Sequence, residues 1–105
     1  MTQQQYVAVG RFNTQNASRY LQQLCKHFAH KVDVTYDDLQ GVAALPTGPA
    51  RLKAEENELV IELTAKDLNG LAVAQHIIDS HLVRFAFREN FERMSWVQGA
   101  DAGQS

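Results

Sequence analysis

The sequence predicts a single α+β domain, in which a mostly antiparallel sheet carries two amphipathic helices on one face. Two observations predict this class: two segments with apolar residues at helical spacing, and several short segments in which apolar and polar residues alternate. The predicted order of elements is β-α-β-β-β-β-α-β. A sheet of this kind leaves its other face for water or for a partner.

The first strand is predicted over residues 6–12, although the alternation there does not decide which side faces the core. A helix over residues 17–30 follows, with Asn13 and Thr14 as helix-capping residues. At about 100° per residue its apolar side chains form one stripe, with Tyr20 at the edge and polar residues on the outer face. The stripe consists of Ala17, Leu21, Leu24 and Phe28.

Four short strands of an antiparallel meander are predicted next. They cover residues 32–36, 39–45, 50–54 and 59–64. Gly41 indicates a β-bulge in the second of these strands. Residues 46–49, with the sequence Pro-Thr-Gly-Pro, are the strongest turn signal of the chain.

Asp67 is predicted to cap a second helix that runs to about residue 87, and Asn90 is predicted to signal its end. Its inner stripe consists of Leu71, Gln75, Ile78, Leu82 and Phe85, with Ala74 and His81 on one shoulder. A last strand is predicted over residues 91–97. The domain is therefore expected to span residues 1–97, followed by a flexible tail over residues 98–105, which hold no apolar side chain larger than Ala.

Composition narrows the function classes. The 105 residues include 10 Lys and Arg against 12 Asp and Glu, and this slightly acidic balance, with no groove-reading or base-stacking motif, disfavours nucleic acid as a partner. No apolar run approaches the roughly 18 residues of a membrane span, and residues 1–5 do not begin a secretory signal. The single cysteine, Cys25, forms no internal disulfide. These features together predict a cytoplasmic protein without a membrane partner.

Enzyme motifs are absent from the sequence. It contains no phosphate-binding P-loop, no GxGxxG fingerprint, no G-x-S-x-G elbow and no H-E-x-x-H zinc motif. This favours a non-enzymatic protein.

Histidines provide the one lead toward metal chemistry. His27 and His30 lie three residues apart on the first helix and can face the same way. His81, on the shoulder of the second helix, is the third ligand if the two helices lie side by side. This interpretation predicts a zinc, iron or haem site at His27, His30 and His81. In the alternative, the first two stabilise the negative end of the helix dipole and His81 is a hydrogen-bonded structural histidine.

Two further side chains with metal-binding or nucleophilic potential are assigned to neither site. Cys25 and His27 project roughly 160° apart on the first helix, so they share no ligand face. Cys25 is predicted to be a packing thiol rather than a nucleophile. His76 lies on the outer side of the second helix.

Charge is distributed unevenly along the chain. Residues 13–32 contain bases but no acid, whereas acids collect in residues 33–38 and 55–58. Arg84 and Arg88, one turn apart on the second helix, extend the basic surface. This polarity predicts a site for an anionic ligand or an acidic partner, against the alternative of a solvated helix face. The predicted ligand-binding residues are Tyr20, Lys26, His27, Lys31, Arg84 and Arg88.

The second helix carries a second apolar strip, Val73 and Ile77, which projects roughly 120–160° from Leu71. A helix that is apolar on two sides buries both, within its own fold or in an oligomer. Val73 and Ile77 are therefore predicted to form a homodimer interface, with packing inside the monomer as the alternative.

Three stretches resemble a known family. They are residues 13–21 (NTQNASRYL), 24–31 (LCKHFAHK) and 81–89 (HLVRFAFRE), and the similarity extends over about residues 6–97. The family is the small bacterial one catalogued as domain of unknown function 2218. It has no established activity, so the resemblance implies no catalytic residues. Some of its relatives are associated with siderophore-interacting flavin reductases, and the resemblance therefore implies a link to iron acquisition.

These observations favour a bacterial, non-enzymatic, cytoplasmic binding or accessory module that self-associates as a homodimer and takes part in iron or siderophore handling. Its ligand is expected to be an iron chelate or a protein partner, attracted by the basic helix of residues 17–31, with Tyr20 and His27 as rim contacts. The alternative is a metal- or haem-binding protein that uses the histidine cluster. An enzyme that acts without a cofactor ranks third.

Overall fold

The alternation of apolar and polar residues produces one sheet with a buried face and an open face. The computed structural model describes residues 5–100, the side chains of residues 99 and 100 excepted. Its strands are β1 (Tyr6–Asn13), β2 (Val34–Tyr36), β3 (Gln40–Leu45), β4 (Gly48–Ala54), β5 (Glu58–Ala65) and β6 (Ser95–Ala100). Its helices are α1 (Ala17–Phe28) and α2 (Leu68–Phe85), the latter followed by a short 3-10 helix (Phe87–Glu89).

The predicted α+β class and the order of the elements are confirmed. The strands are antiparallel to their neighbours, in the spatial order β2-β3-β4-β5-β1-β6. β1 is thus inserted between β5 and β6, with Tyr6 opposite Ala65 of β5 and opposite Ala100 of β6. The buried positions of β1, Ala8 and Gly10, lie on the helix-covered face, which settles the orientation that its alternation leaves open.

α1 covers the part of the sheet formed by β2 to β5. The predicted apolar stripe is confirmed, and the buried thiol of Cys25 completes it. The helix ends at Phe28, before the predicted end at residue 30. Neither Asn13 nor Thr14 caps it: Asn13 still belongs to β1, and the residue before the helix is Asn16, whose side chain makes no capping hydrogen bond.

α2 packs on β5 and β1. Asp67 caps it as predicted, since its Oδ1 accepts a hydrogen bond from the Gly70 amide at 2.6 Å. Asn90 adopts the left-handed conformation with a φ of 57° and ends the 3-10 helix, in agreement with the end signal predicted there. The fully buried side chains of α2 are Leu71, Ala74, Ile78 and Leu82.

The predicted bulge at Gly41 is wrong. β3 pairs with β4 residue by residue, from Gln40 opposite Lys53 to Leu45 opposite Gly48. A Cβ atom on Gly41 would lie 2.8 Å from the Sγ atom of Cys25. The glycine therefore allows α1 to approach the sheet closely, and the strand itself is regular.

The last strand differs from its predicted bounds at both ends. β6 begins at Ser95 rather than at residue 91 and continues to Ala100. Residues 98–100, predicted to start the flexible tail, pair with β1 instead. The remaining tail residues, 101–105, lie outside the described residues.

The face of the sheet away from α1 and α2 carries both apolar and charged side chains. Val42 and Val97 are exposed there, and Arg51 lies opposite Glu62 on the neighbouring strand. Within residues 5–100, no helix is long and apolar enough to cross a membrane.

Candidate functional site

The groove between the two helices collects the candidate functional residues. α1 and α2 lie antiparallel to each other. Tyr20 near the start of α1 is hydrogen-bonded to Glu89 beyond the end of α2, and His27 near the end of α1 contacts His81 within α2. We call this groove the helix seam. The residues that define it are Arg19, Tyr20, Gln23 and His27 on one side, and His81, Phe85, Phe87, Arg88 and Glu89 on the other.

One end of the helix seam is an open cavity of about 400 Å³. Arg19, Gln23 and Arg88 supply its polar side chains, and Phe85 and Phe87 supply an apolar wall. Phe87 is 61% exposed, and the guanidinium carbon of Arg88 lies 5.5 Å from its ring centroid. Cations and an aromatic surface are therefore available to the same ligand.

Glu89 is hydrogen-bonded to Tyr20, which lines this cavity. Its Oε2 atom accepts hydrogen bonds from Thr14 Oγ1 at 3.0 Å, Asn16 Nδ2 at 2.9 Å and the Tyr20 hydroxyl at 2.5 Å. Partial burial would raise the pKa of the Glu89 carboxyl, but these three hydrogen bonds outweigh it, so its pKa lies below the ordinary value. Conversely, burial and the Glu89 carboxylate together raise the pKa of Tyr20. Glu89 is thus a carboxylate at neutral pH.

The predicted rim position of Tyr20 is wrong. The residue is only 5% exposed and its ring packs near Phe12, with centroids 6.0 Å apart. Its hydroxyl is used by Glu89. Tyr20 therefore lies beneath the cavity and shapes its floor.

Electrostatically, the helix seam is positive. α1 contains no acid, and the one acid of α2, Asp79, is turned toward β6, where it accepts hydrogen bonds from the Met94 amide and the Trp96 indole. Against the charge of Glu89 stand five permanent cations. They are Arg19, Lys26, Lys31, Arg84 and Arg88.

The placement of these cations follows from helix geometry and from their neighbours. Arg19 and Arg88 line the cavity. Lys26 lies on the same outward stripe as Arg19, roughly 20° away at about 100° per residue. Lys31 and Arg84 are close enough to His27 to influence its protonation. The structure therefore places Arg19 and Arg88 at one end of the helix seam, and Lys31 and Arg84 near His27 at its other end.

At its other end, the helix seam brings His27 and His81 together. Their ring centroids are 4.5 Å apart. His81 Nδ1 lies 2.7 Å from the carbonyl oxygen of Ile77. A carbonyl only accepts, so Nδ1 of His81 is the donor in this contact.

Protonation of His27 is disfavoured. Desolvation lowers its pKa first of all, and the neighbouring His81, His30, Lys31 and Arg84 lower it further. The imidazole of His27 is therefore mostly neutral at neutral pH.

His30, the third histidine of the predicted metal site, is exposed at the end of α1. Among residues 5–100, no three His, Cys, Asp or Glu side chains form a group that could hold a metal ion. The sequence thus predicts the pairing of His27 with His81, but the structure does not bring the three histidines into one cluster.

Cys25 is fully buried, and burial raises the pKa of its thiol to about 11. Thiolate is scarce at neutral pH, which agrees with its predicted packing role. His76 is exposed on the outer side of α2, as expected.

Val73 and Ile77, the two residues predicted to form a dimer interface, differ in their exposure. Ile77 packs partly buried against the core, whereas Val73 is 43% exposed. Ile77 thus follows the alternative of packing within the monomer. The homodimer itself stays a prediction.

Sequence reasoning missed Glu89 and Asp79. Glu89 gives no periodic signal, since its three donors are 69 to 75 residues distant along the chain. Asp79 does offer a signal in the sequence: it is the single acidic residue of α2 and lies between the buried residues Ile78 and Leu82.

Comparisons with known proteins identify the fold and a family. The family model described as "Uncharacterized protein conserved in bacteria (DUF2218)" matches residues 9–97. The NMR structure of PA4090 from Pseudomonas aeruginosa is similar, with a TM-score of 0.71 and 26% sequence identity over 90% of this chain and 95% of that chain. No protein with a curated description matches.

Proposed function

We propose that this chain, which belongs to the bacterial DUF2218 family, is a cytoplasmic, non-enzymatic binding module whose helix seam takes an anionic ligand. One observation carries the proposal: Arg19 and Arg88 line the cavity at one end of the helix seam and Lys31 and Arg84 lie near His27 at its other end, whereas the seam's single carboxylate is already used by three hydrogen bonds. Clustered cations raise the local concentration of anions and pair with carboxylate or phosphate groups.

The cavity favours an anion that also has an apolar part. Arg19 and Arg88 flank a wall formed by Phe85 and Phe87, so one ligand could pair with a guanidinium and cover an exposed aromatic ring. An anionic iron chelate has this chemistry. The link to iron and siderophore handling that the family resemblance implies is consistent with it.

The test is a titration of isotope-labelled, metal-free protein with citrate and with phenyl phosphate, followed by NMR. We expect the amide signals of Arg19, Gln23 and Arg88 to shift together, with phenyl phosphate also shifting Phe87. Replacing both Arg84 and Arg88 by Gln should weaken binding about tenfold, which corresponds to about 1.4 kcal/mol.

Arg51→Gln is the matched control, since Arg51 is an exposed arginine on the opposite face of the sheet. Its affinity for both anions should equal that of the unmodified protein. Equal losses in Arg51→Gln and in the double variant, or shifts confined to the open face of the sheet, would contradict the proposal.

A further inference from the structure

We infer that β6 forms the interface of a homodimer, in which it pairs antiparallel with β6 of a second copy of this chain. This inference concerns a different surface from the proposed anion site and does not depend on it. β6 pairs with β1 along one side, and in the part of the chain that the structure describes its other side is an edge of the sheet. The backbone N–H and C=O groups along such an edge are available to a further strand.

The two edges of the sheet differ in how they are protected against such pairing. Natural edge strands avoid it by being short, by carrying charged residues or proline, or by a bulge. β2, at one edge, has three residues and lies between Asp33 and Asp37. β6 has six residues, none of them charged or proline, and its register with β1 is unbroken. The edge at β6 therefore lacks each of these protections.

A second copy of β6 fits this edge because the strand is uncharged and the pairing is symmetric. Two copies related by a twofold axis place no like charges opposite each other, an arrangement that would destabilise the pair. With the axis at Val97, this side chain faces its own counterpart, and Trp96 faces Gln98 of the partner subunit. Each copy thus supplies the strand that the other lacks.

An apolar strip on the open face of the sheet ends at the same edge. Val9 of β1 lies opposite Val97, and Val7 lies two residues along β1 on the same face. Val97 is 70% exposed, although valine is among the residues most often buried. Pairing of two β6 strands brings the two Val97 side chains within about 5 Å of each other. The strip then continues across the interface, and apolar surface is removed from water.

The dimer leaves the helix seam accessible. α1 packs on β2 to β5, and α2 packs on β5 and β1, so β6 lies on the side of α2 away from α1. A twofold axis perpendicular to the sheet keeps the helices of both copies on one face of a continuous sheet. Anion binding at the helix seam and pairing at β6 can therefore succeed or fail independently.

The experiment is sedimentation velocity on the full chain, without an affinity tag, over a series of protein concentrations. We expect a monomer that converts to a dimer as the concentration rises. Val97→Lys places two like charges opposite each other at the centre of the interface, and it should raise the Kd of the dimer at least about tenfold. Because Val97 is largely exposed, the far-UV circular dichroism of the variant should equal that of the unmodified protein.

Val42→Lys and Val73→Lys are the matched controls, since they add the same charge at exposed valines elsewhere. Val42 lies on the open face of the sheet but on the inner strand β3, and Val73 lies on α2. Neither substitution should change the Kd of the dimer. An equal rise in Val42→Lys would assign the interface to the open face, and an equal rise in Val73→Lys would assign it to α2. Either result would overturn the inference.

Amide hydrogen exchange tests the interface without any substitution. In an antiparallel edge strand, the amides of alternate residues point away from the neighbouring strand. Those of β6 should exchange more slowly as the protein concentration rises, whereas the amides of β2, at the opposite edge, should not change. Exchange in β6 that is independent of concentration, or a chain that stays monomeric at every concentration, would overturn the inference.

Discussion

At the scale of single residues, Glu89 accepts hydrogen bonds from side chains at the start of α1. The Asn16 side chain makes no capping hydrogen bond to the helix and instead donates, together with Thr14 and Tyr20, to one oxygen of a residue beyond α2. The start of α1 is thus attached to the end of α2. Hydrogen bonds to a charged acceptor are stronger than neutral ones, so this attachment contributes to the stability of the domain.

Tyr20→Phe tests this attachment. Loss of the hydroxyl removes one of three donors from the carboxylate, and we expect the free energy of unfolding to fall by about 1–2 kcal/mol in urea denaturation. Tyr36→Phe, at an exposed tyrosine of β2, is the control and should change it by less than about 0.5 kcal/mol. Equal effects in both variants would mean that the hydroxyl contributes nothing specific.

The same carboxylate makes stability depend on pH. Its pKa is lower in the folded protein than the ordinary value of 4.5, so the contribution of Glu89 is fully present above that value. It is lost as the pH falls through the lower, folded-state pKa. We therefore expect the stability difference between the unmodified protein and Glu89→Gln to shrink on acidification below about pH 4.5.

Denaturation curves over a series of pH values measure this difference. Glu56→Gln, at an exposed residue of the turn before β5, should show no such convergence with the unmodified protein. The difference in free energy of unfolding between Glu89→Gln and the unmodified protein could instead stay constant down to strongly acid pH. That result would assign the effect to the shape of the side chain rather than to its charge.

At the scale of elements, Asp79 attaches β6 to α2. Its two carboxylate oxygens accept from the Met94 amide at 3.0 Å and from the Trp96 indole at 2.9 Å. Trp96 in turn lies over Gly10 of β1, where a Cβ atom would come within 2.7 Å of its ring. The path of the chain into the last strand is therefore set by a helix side chain as well as by the pairing of β6 with β1.

Asp79→Ala should leave α2 intact and loosen β6. Both hydrogen bonds to a charged acceptor disappear, so we expect a loss of about 2–3 kcal/mol in the free energy of unfolding. Amide exchange in β6 should rise more than in β5, and the fluorescence of Trp96, the single tryptophan, should shift to the red. Asp33→Ala, which removes an exposed carboxylate, should do neither. Uniformly faster exchange in both strands would contradict a local role.

At the scale of the whole molecule, acidic and basic residues are unevenly distributed. The net charge is −2, yet α1 carries no acid and its Arg19 lines the cavity of the helix seam together with Arg88. Acids belong mainly to the loops and to strands such as β5, where Glu58 pairs with Arg11 at 2.7 Å. Attraction of an anion therefore depends on where it approaches and not on the net charge.

This uneven distribution predicts a strong effect of salt on anion binding. Raising the ionic strength from about 0.01 M to about 1 M shortens the screening length from about 30 Å to about 3 Å. We expect the Kd for citrate to rise at least about tenfold over this range, with a smaller rise for phenyl phosphate, since burial of its ring does not depend on charge. An affinity for citrate that is independent of salt would exclude electrostatic attraction as the main contribution to the free energy of binding.

Local patterns predicted what local physics determines. The alternation of apolar and polar residues located β3, β4 and β5, because side chains on one face of these strands are buried in the core and those on the other face meet water. Helical periodicity placed His27 and His81 on the shoulders of their helices, and side-by-side packing of those helices made the two rings neighbours. The hydrogen bond between Tyr20 and Glu89 was not predictable in this way, since these residues are 69 positions apart and meet only after the whole domain has formed.

Because β1 lies between β5 and β6, its pairing in the nascent chain is complete only after both of these strands have been synthesised. β1 leaves the ribosome before its partners, and β5 follows it by about 50 residues, or roughly 3–10 s of translation at 5–20 residues per second. During that interval the neighbouring strands β2 to β4 can form hairpins among themselves, whereas both edges of β1 stay open. β1 would therefore stay accessible to a chaperone that binds nascent chains for longer than the other strands. This accessibility ends when β5 covers one edge of β1 and β6, the last strand to be made, covers the other.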